Sequence, residues 1–427
     1  MINRLKPKSE FSRNVLTLMT GTTIAQAIPI AISPILTRIY TPEDFGVFAL
    51  YMSVLGFFAI IINGKYDMAI VLPKEEKEAF NIFILSLLIT CFISLIITFF
   101  IFIFFEKILF YLNNQDIGLF LYLIPLSSFL IGIYQSLYYW LTRTEQFGHI
   151  SISQIGQSLT TGSSQVSSGY MELLGGLISG NIIGRVIAIL VLLKYFFQEK
   201  SLNIKDIQKK LLIKQMMRYK DFPLISTFHS LSEISRLSGT VILISFFFGS
   251  TVLGFYALAL RILQVPLGII GSSLGQVLYQ KFNTLHNDKR ILYPYMKVVV
   301  FKLLLIAVPL FFVLYMVLPD LFKFIFGENW YYAGEYSRLL IPYLFMNFIV
   351  GPVSHLIMIV EKQKTFFYMA LVSNFLILIM VFTGGSLSFS LNKILLYTSI
   401  AMAFYLCIVL YMLFKYSKGN VLSENRK

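Results

Sequence analysis

Charge is scarce in this sequence: 13 % of its 427 residues are Asp, Glu, Lys or Arg. A water-soluble chain carries roughly a quarter, so the composition argues against a soluble enzyme. Cysteine is scarcer still, with two residues. Cys91 and Cys407 both fall inside apolar runs, so neither a disulfide framework nor a cysteine metal site is expected. The four histidines, His149, His229, His286 and His355, are scattered without ligand spacing. Missing too is any polar stretch long enough to fold as a separate soluble domain.

What remains is apolar: 57 % of residues are hydrophobic and 16 % aromatic. Runs of about 20 residues or more recur from end to end, each long enough to cross a hydrocarbon core of roughly 30 Å as a helix. They lie at 15–39, 45–72, 79–105, 117–141, 150–171, 173–197, 223–248, 252–279, 298–322, 336–360, 366–382 and 394–416. Barrel strands of ~10 alternating residues do not fit runs of this length. The fold class is an all-α polytopic membrane protein of about twelve helices. A basic start, the run 15–24 and Ala25-Gln26-Ala27 imitate a secretory leader, but apolar sequence continues past Ala27, so this segment reads as the first span.

The net charge of +14 is explained by where the cations lie. Alternate polar segments carry Arg4, Lys6, Lys8 and Arg13, then Lys74 and Lys77, Arg143, the cluster between Lys200 and Lys220, Lys281 to Lys297, Lys362 and Lys364, and the basic tail. The intervening ones hold little beyond Arg38, Lys107, Lys323, Arg338 and Lys393. That asymmetry follows the positive-inside rule and implies that both termini are cytoplasmic. No nucleic-acid partner is expected.

The longest inner segment divides the chain into a six-helix half at 1–197, a linker at 198–222, a second half at 223–416 and a tail at 417–427. Phe45-Gly46-Val47-Phe48-Ala49-Leu50 aligns with Leu253-Gly254-Phe255-Tyr256-Ala257-Leu258, with Leu36 against Ile244 and Leu55 against Leu263 at the same offset. Six spans per half give parallel repeats, with a substrate route expected between them.

Charges inside spans are costly, at roughly 2.5–3.5 kcal/mol on insertion scales, and so point to function. Arg261 falls near the middle of the eighth run, with no opposite charge close in sequence. Glu233 and Arg236 share a face at i, i+3, either as a structural pair or as functional groups. Lys65 and Asp67 follow Gly64 in the inner third of the second run, where Lys65 either snorkels to the surface or faces a lumen. Arg185 follows Gly176, Gly180 and Gly184, a small-residue stripe suited to close helix packing. Cations outnumber carboxylates in this set, which favours an anionic ligand.

The fifth run is unusually polar, from Ser151 through Gln154 and Gln157 to Ser168. It lines a wet cavity or hydrogen-bonds to neighbouring helices. Pro29 and Pro34 interrupt the first run and read as a hinge. Trp140 and Trp330 read as interface anchors.

These blocks bear a resemblance to a known family. Leu36-Thr37-Arg38-Ile39-Tyr40-Thr41-Pro42-Glu43-Asp44-Phe45-Gly46, then Gly64-Lys65-Tyr66-Asp67-Met68-Ala69-Ile70-Val71-Leu72-Pro73, resemble the polysaccharide (O-antigen type) flippases of the multidrug/oligosaccharidyl-lipid/polysaccharide (MOP) exporter superfamily. Asp221-Phe222-Pro223, Phe248-Gly249, Arg261, Pro266 and Phe326-Gly327-Glu328-Asn329-Trp330 extend the similarity over nearly the whole chain. The family often has Arg-Tyr-Glu where this chain has Lys65-Tyr66-Asp67. The resemblance implies a flippase that moves undecaprenyl-diphosphate-linked oligosaccharide, an O-antigen or lipopolysaccharide repeat unit for example, across the bacterial inner membrane by alternating access. It implies no cofactor, coupling to a proton or sodium gradient, and other polysaccharide-assembly membrane proteins as partners. On that reading Arg261, Lys65, Arg236 and Arg38 are the substrate-binding cations, and Glu233 and Asp67 are candidates for ion coupling. A multidrug or cation antiporter and a membrane enzyme of polysaccharide assembly stand as alternatives.

Overall fold

A computed structural model describes residues 10–198, 206–288 and 291–419. Arg4, Lys6, Lys8, the first part of the 198–222 linker and all but the start of the 417–427 tail fall outside them. No strand occurs among the described residues. The helices are α1 (Glu10–Ile39), α2 (Pro42–Ile61), α3 (Tyr66–Ala69), α4 (Glu76–Leu112), α5 (Ile124–Arg143), α6 (Phe147–Tyr170), α7 (Gly176–Phe197) and α8 (Lys209–Arg218). They continue with α9 (Thr227–Asn287), α10 (Tyr293–Phe326), α11 (Tyr331–Leu339), α12 (Ile341–Ser354), α13 (Leu356–Ile359), α14 (Gln363–Ser386) and α15 (Leu391–Gly419).

Among the described residues, 10 helical segments are long and apolar enough to cross a membrane. One of them is the long run of α9, broken at Gly249, whose φ of 81° and ψ of 178° leave the helical region. Each arm of α9 is long enough to span. The polar α6, at 24 residues, has the length but not the hydropathy. Counted in this way, the twelve expected spans are present.

The structure corrects the end of the second span. The sequence carries it to Leu72, but α2 stops at Ile61. Gly64 and Lys65 both take positive φ, 55° and 60°, and two consecutive left-handed residues cannot continue a right-handed helix. Lys65 and Asp67 therefore lie in a turn and the short α3, not in the inner third of a membrane-spanning helix.

The chain packs as two compact units, Met1–Thr251 and Val252–Lys427. The first arm of α9 thus belongs with the first unit. The first unit's core centres on Trp140, which is 0 % exposed. Its ring meets Phe83 at 5.6 Å, Phe196 at 5.7 Å and Phe80 at 5.9 Å between centroids, all edge-on or nearly so. In the second unit Trp330, 1 % exposed, is met edge-on by Phe255 at 5.9 Å. Both tryptophans are core hubs rather than interface anchors.

At the α9 break the first unit clamps the chain from two sides. Asn114 donates to Ser245 Oγ and Ser250 Oγ, Ser250 Oγ donates to Asp116, and Asn113 donates to the Phe246 carbonyl. Gly46 of α2 lies against the Ser250 backbone so closely that a Cβ would overlap its carbonyl oxygen.

Candidate functional site

The polar interior of the first unit is built around α6, α1 and α7. Ser151 donates to the Thr17 carbonyl at 3.1 Å, Ser153 to Ala188 at 2.9 Å, Ser158 to Ala25 at 2.8 Å and Gln165 to Leu177 at 2.9 Å. Thr22 donates to Gln154 Oε1 at 2.9 Å. Much of the helix's polarity is thus spent on its neighbours, which decides between the two sequence readings for these residues. They join helices rather than line a cavity.

One of these bonds explains how two prolines sit inside α1. Pro29 has no N–H, so the carbonyl four residues earlier, that of Ala25, loses its helical donor. Ser158 supplies the replacement. The helix runs unbroken from Glu10 to Ile39 with Pro29 and Pro34 inside it. Ser158→Ala is expected to destabilise the protein by about 1–2 kcal/mol, the range for an interhelical bond to a group otherwise unpaired. Pro29→Ala restores the backbone donor, so the double variant should lose much less than Ser158→Ala alone. Thermal unfolding of the four proteins in one detergent measures that coupling; additive losses would contradict it.

Gly180 and Gly184 form the close seam of α7 on α6. A Cβ on Gly180 would stand 2.9 Å from the Gln165 backbone nitrogen, and one on Gly184 2.9 Å from the Gln157 carbonyl oxygen. The glycines do the packing that the sequence assigns to this stretch, and Arg185 is freed from that role. Its guanidinium donates to Gln157 Oε1 at 3.3 Å and lies 4.7 Å from the Tyr134 ring centroid. Both partners are neutral, and among the described residues no carboxylate pairs with it. Arg185 is a half-buried cation in a membrane helix, held by an amide and an aromatic face. Such a cradle orients the fork and leaves its positive charge available to an anion.

At one end of the same unit, α3 places Asp67 in a buried position, 3 % exposed, outside the spans flanking it. Asn63 donates to Gln135 at 2.9 Å, and Arg143 grips the carbonyls of Pro73 and Lys74. Burial pushes the Asp67 carboxyl up to about 6, against the opposing pull of Lys65 and of hydrogen bonds from nearby groups. Its Oδ1 has no hydrogen-bond partner among the described residues. The folded carboxyl thus holds its proton to higher pH than the unfolded one, so stability is lost as pH rises from about 4 through 6. The full penalty above that window is up to about 3 kcal/mol. Asp67→Asn should raise the melting temperature at pH 7.5 and have little effect at pH 4.5. A stability gain that does not depend on pH would contradict this.

The other sequence candidates fall at separate places. Arg38 is exposed at the end of α1 and donates to the Pro34 carbonyl at 2.8 Å. Arg236 is half-buried and Glu233 exposed in the first arm of α9. No ion pair joins them among the described residues, although their spacing permits one. Arg261 is half-buried, belongs to the second unit and has interactions of its own. A cavity of about 580 Å³ opens at the other end of the first unit, lined among others by Tyr40, Glu43, Asp44, Asp116, Phe120 and Glu172. Four carboxylates make it unsuited to an anion. Sequence reasoning missed the Arg185–Tyr134–Gln157 cradle because its members come from three helices, with no spacing to link them. No cluster of three or more metal-ligating side chains occurs among the described residues.

Comparison with known structures places this geometry. An inward-facing multidrug resistance MATE family transporter of the MOP superfamily superposes with a TM-score of 0.73 at 12 % identity, covering 94 % of this chain and 96 % of its own. The lipid II flippase MurJ in an inward closed conformation gives 0.73 at 14 % identity, covering 95 % and 91 %. The fold is therefore that of the MOP superfamily of membrane transporters. A profile of the family described as polysaccharide biosynthesis protein matches residues 11–286, and the chain belongs to that family. No curated protein matches the sequence.

Proposed function

We propose that this protein is a flippase for undecaprenyl-diphosphate-linked oligosaccharide, an O-antigen or other surface-polysaccharide repeat unit, in the bacterial inner membrane. Family membership and the MOP fold support transport of a lipid-linked saccharide. The observation that carries the substrate reading is Arg185, a membrane-helix cation held by Tyr134 and Gln157 and, among the described residues, by no carboxylate. A diphosphate offers the anion that such a group lacks, and the guanidinium fork can bind it bidentately. Arg261 in the second unit is, separately, a substrate-binding cation in this reading, as are Arg236, Lys65 and Arg38 in the first. Translocation by alternating access needs no cofactor and is coupled to a proton or sodium gradient, with Asp67 and Glu233 as the candidate coupling carboxylates.

In cells lacking the protein, lipid-linked oligosaccharide should accumulate in the cytoplasmic leaflet, inaccessible to a sugar-modifying enzyme added to spheroplasts. Normal export, with increased drug sensitivity instead, would favour a multidrug antiporter. The lysine and arginine distribution supports cytoplasmic termini. Reporter fusions at Lys210 and Asn329 should accordingly read inside and outside, and the opposite pattern would overturn that topology.

A further inference from the structure

The linker between α7 and α9 holds a helix that packs Leu212 against the first unit's core and leaves a second set of apolar side chains exposed. On α8 the inward residue Gln215 is 0 % exposed, and among the described residues neither its amide nitrogen nor its amide oxygen finds a partner. The outward stripe at i, i+3, i+4 is Ile213, Met216 and Met217, exposed at 48 %, 37 % and 62 %. Lys209, Lys210, Lys214 and Arg218 surround that stripe, and all four are exposed.

The helix is fixed in this orientation by several bonds. Glu78 at the start of α4 takes Arg218 at 3.3 Å and Lys214 at 3.5 Å. Asn81 accepts from the Gln208 N–H at 3.1 Å and donates to the Asp206 carbonyl at 2.9 Å. The Tyr66 hydroxyl donates to the Met216 carbonyl at 3.0 Å. Glu78 and Asn81 lie in the first turns of a membrane-spanning helix, so α8 is pinned where a span meets the bilayer surface.

We infer that α8 is an interfacial anchor for anionic phospholipid headgroups: Ile213 and Met217 enter the acyl boundary while Lys209 and Lys210 bind the phosphates above them. Charge complementarity selects the occupant. An apolar stripe bordered by lysines matches a surface that is apolar below and negative above, and the bilayer edge beside α4 is that surface. The inference does not rest on which substrate the protein carries.

The test uses the full-length protein with Cys91→Ala and Cys407→Ser, carrying Met217→Cys labelled with a polarity-sensitive fluorophore, in lipid nanodiscs. Phosphatidylcholine discs are compared with discs of increasing phosphatidylglycerol content. The expected result is a blue-shifted emission that grows with phosphatidylglycerol, is quenched by spin-labelled acyl chains, and weakens at 0.5 M salt, where screening shortens to a few ångströms. Lys209→Glu with Lys210→Glu should raise the half-maximal phosphatidylglycerol fraction at least threefold, because each surface cation contributes about fivefold in affinity. Soluble glycerophosphate should not reproduce the shift. Water-like emission in every lipid, or a phosphatidylglycerol response unchanged by the charge reversals, would overturn the inference. So would a blue shift that depends on protein concentration rather than lipid, since that places a second protein on the stripe.

Discussion

Arg261→Ala and Arg185→Gln are each expected to lower export of surface polysaccharide by roughly 10- to 100-fold while the protein reaches the membrane at normal levels. The magnitude follows from a charge-assisted hydrogen bond of about 1.5–3 kcal/mol lost from the translocated state. Arg185→Gln keeps a polar side chain beside Gln157 and Tyr134 and removes only the charge. A loss of transport therefore reports on the anion rather than on packing. Arg261→Lys should retain part of the activity, because a point charge replaces the planar fork. The role proposed for Arg261 rests on its depth and charge, not on its being isolated. Full export by both neutral variants would remove the diphosphate from these sites and leave the family assignment intact.

Gly46→Ala should produce the largest loss of folded protein. The added methyl would overlap the carbonyl oxygen of Ser250. That carbonyl cannot retreat easily, because Asn114 and Asp116 hold the Ser250 side chain at 2.7 Å each. Overpacking against backbone costs about 3 kcal/mol or more. Gly249→Ala separates sterics from strain: nothing lies within 4 Å of its Cβ, but φ is 81°. It should therefore cost only about 1–3 kcal/mol, from backbone conformation alone. Gly156→Ala, in open space in mid-helix, should be neutral or stabilising by up to about 1 kcal/mol. Size-exclusion profiles of the heated, detergent-solubilised variants test that order. A Gly46→Ala protein as stable as the wild type would contradict the close approach.

Much of the fold was legible because membrane helices write themselves as long apolar runs, and every expected run has a helix. The ends were less legible. Gly64-Lys65 ends the second span early through two left-handed residues, and hydropathy is blind to that because Ile70, Val71 and Leu72 continue the apolar pattern. Trp140 and Trp330 sit near span ends in the sequence, yet both are buried among aromatic rings from distant segments. Polarity alone could not say whether α6 faces water or its neighbours; the bond from Ser158 to the carbonyl freed by Pro29 does. Arg185 was hidden for a related reason. Its glycine-rich surroundings indicate packing, and only the three-dimensional seam shows that Gly180 and Gly184 do that work while the arginine turns to Tyr134 and Gln157.

The most direct measurement follows the lipid itself. Purified protein is reconstituted into vesicles with an undecaprenyl-diphosphate-linked oligosaccharide placed in one leaflet, and a membrane-impermeant glycosidase reads its arrival in the other. Wild-type protein should move the lipid-linked sugar far faster than protein-free vesicles, and Arg185→Gln should fall close to the protein-free rate. Equal rates with and without wild-type protein, under both proton and sodium gradients, would contradict the flippase reading.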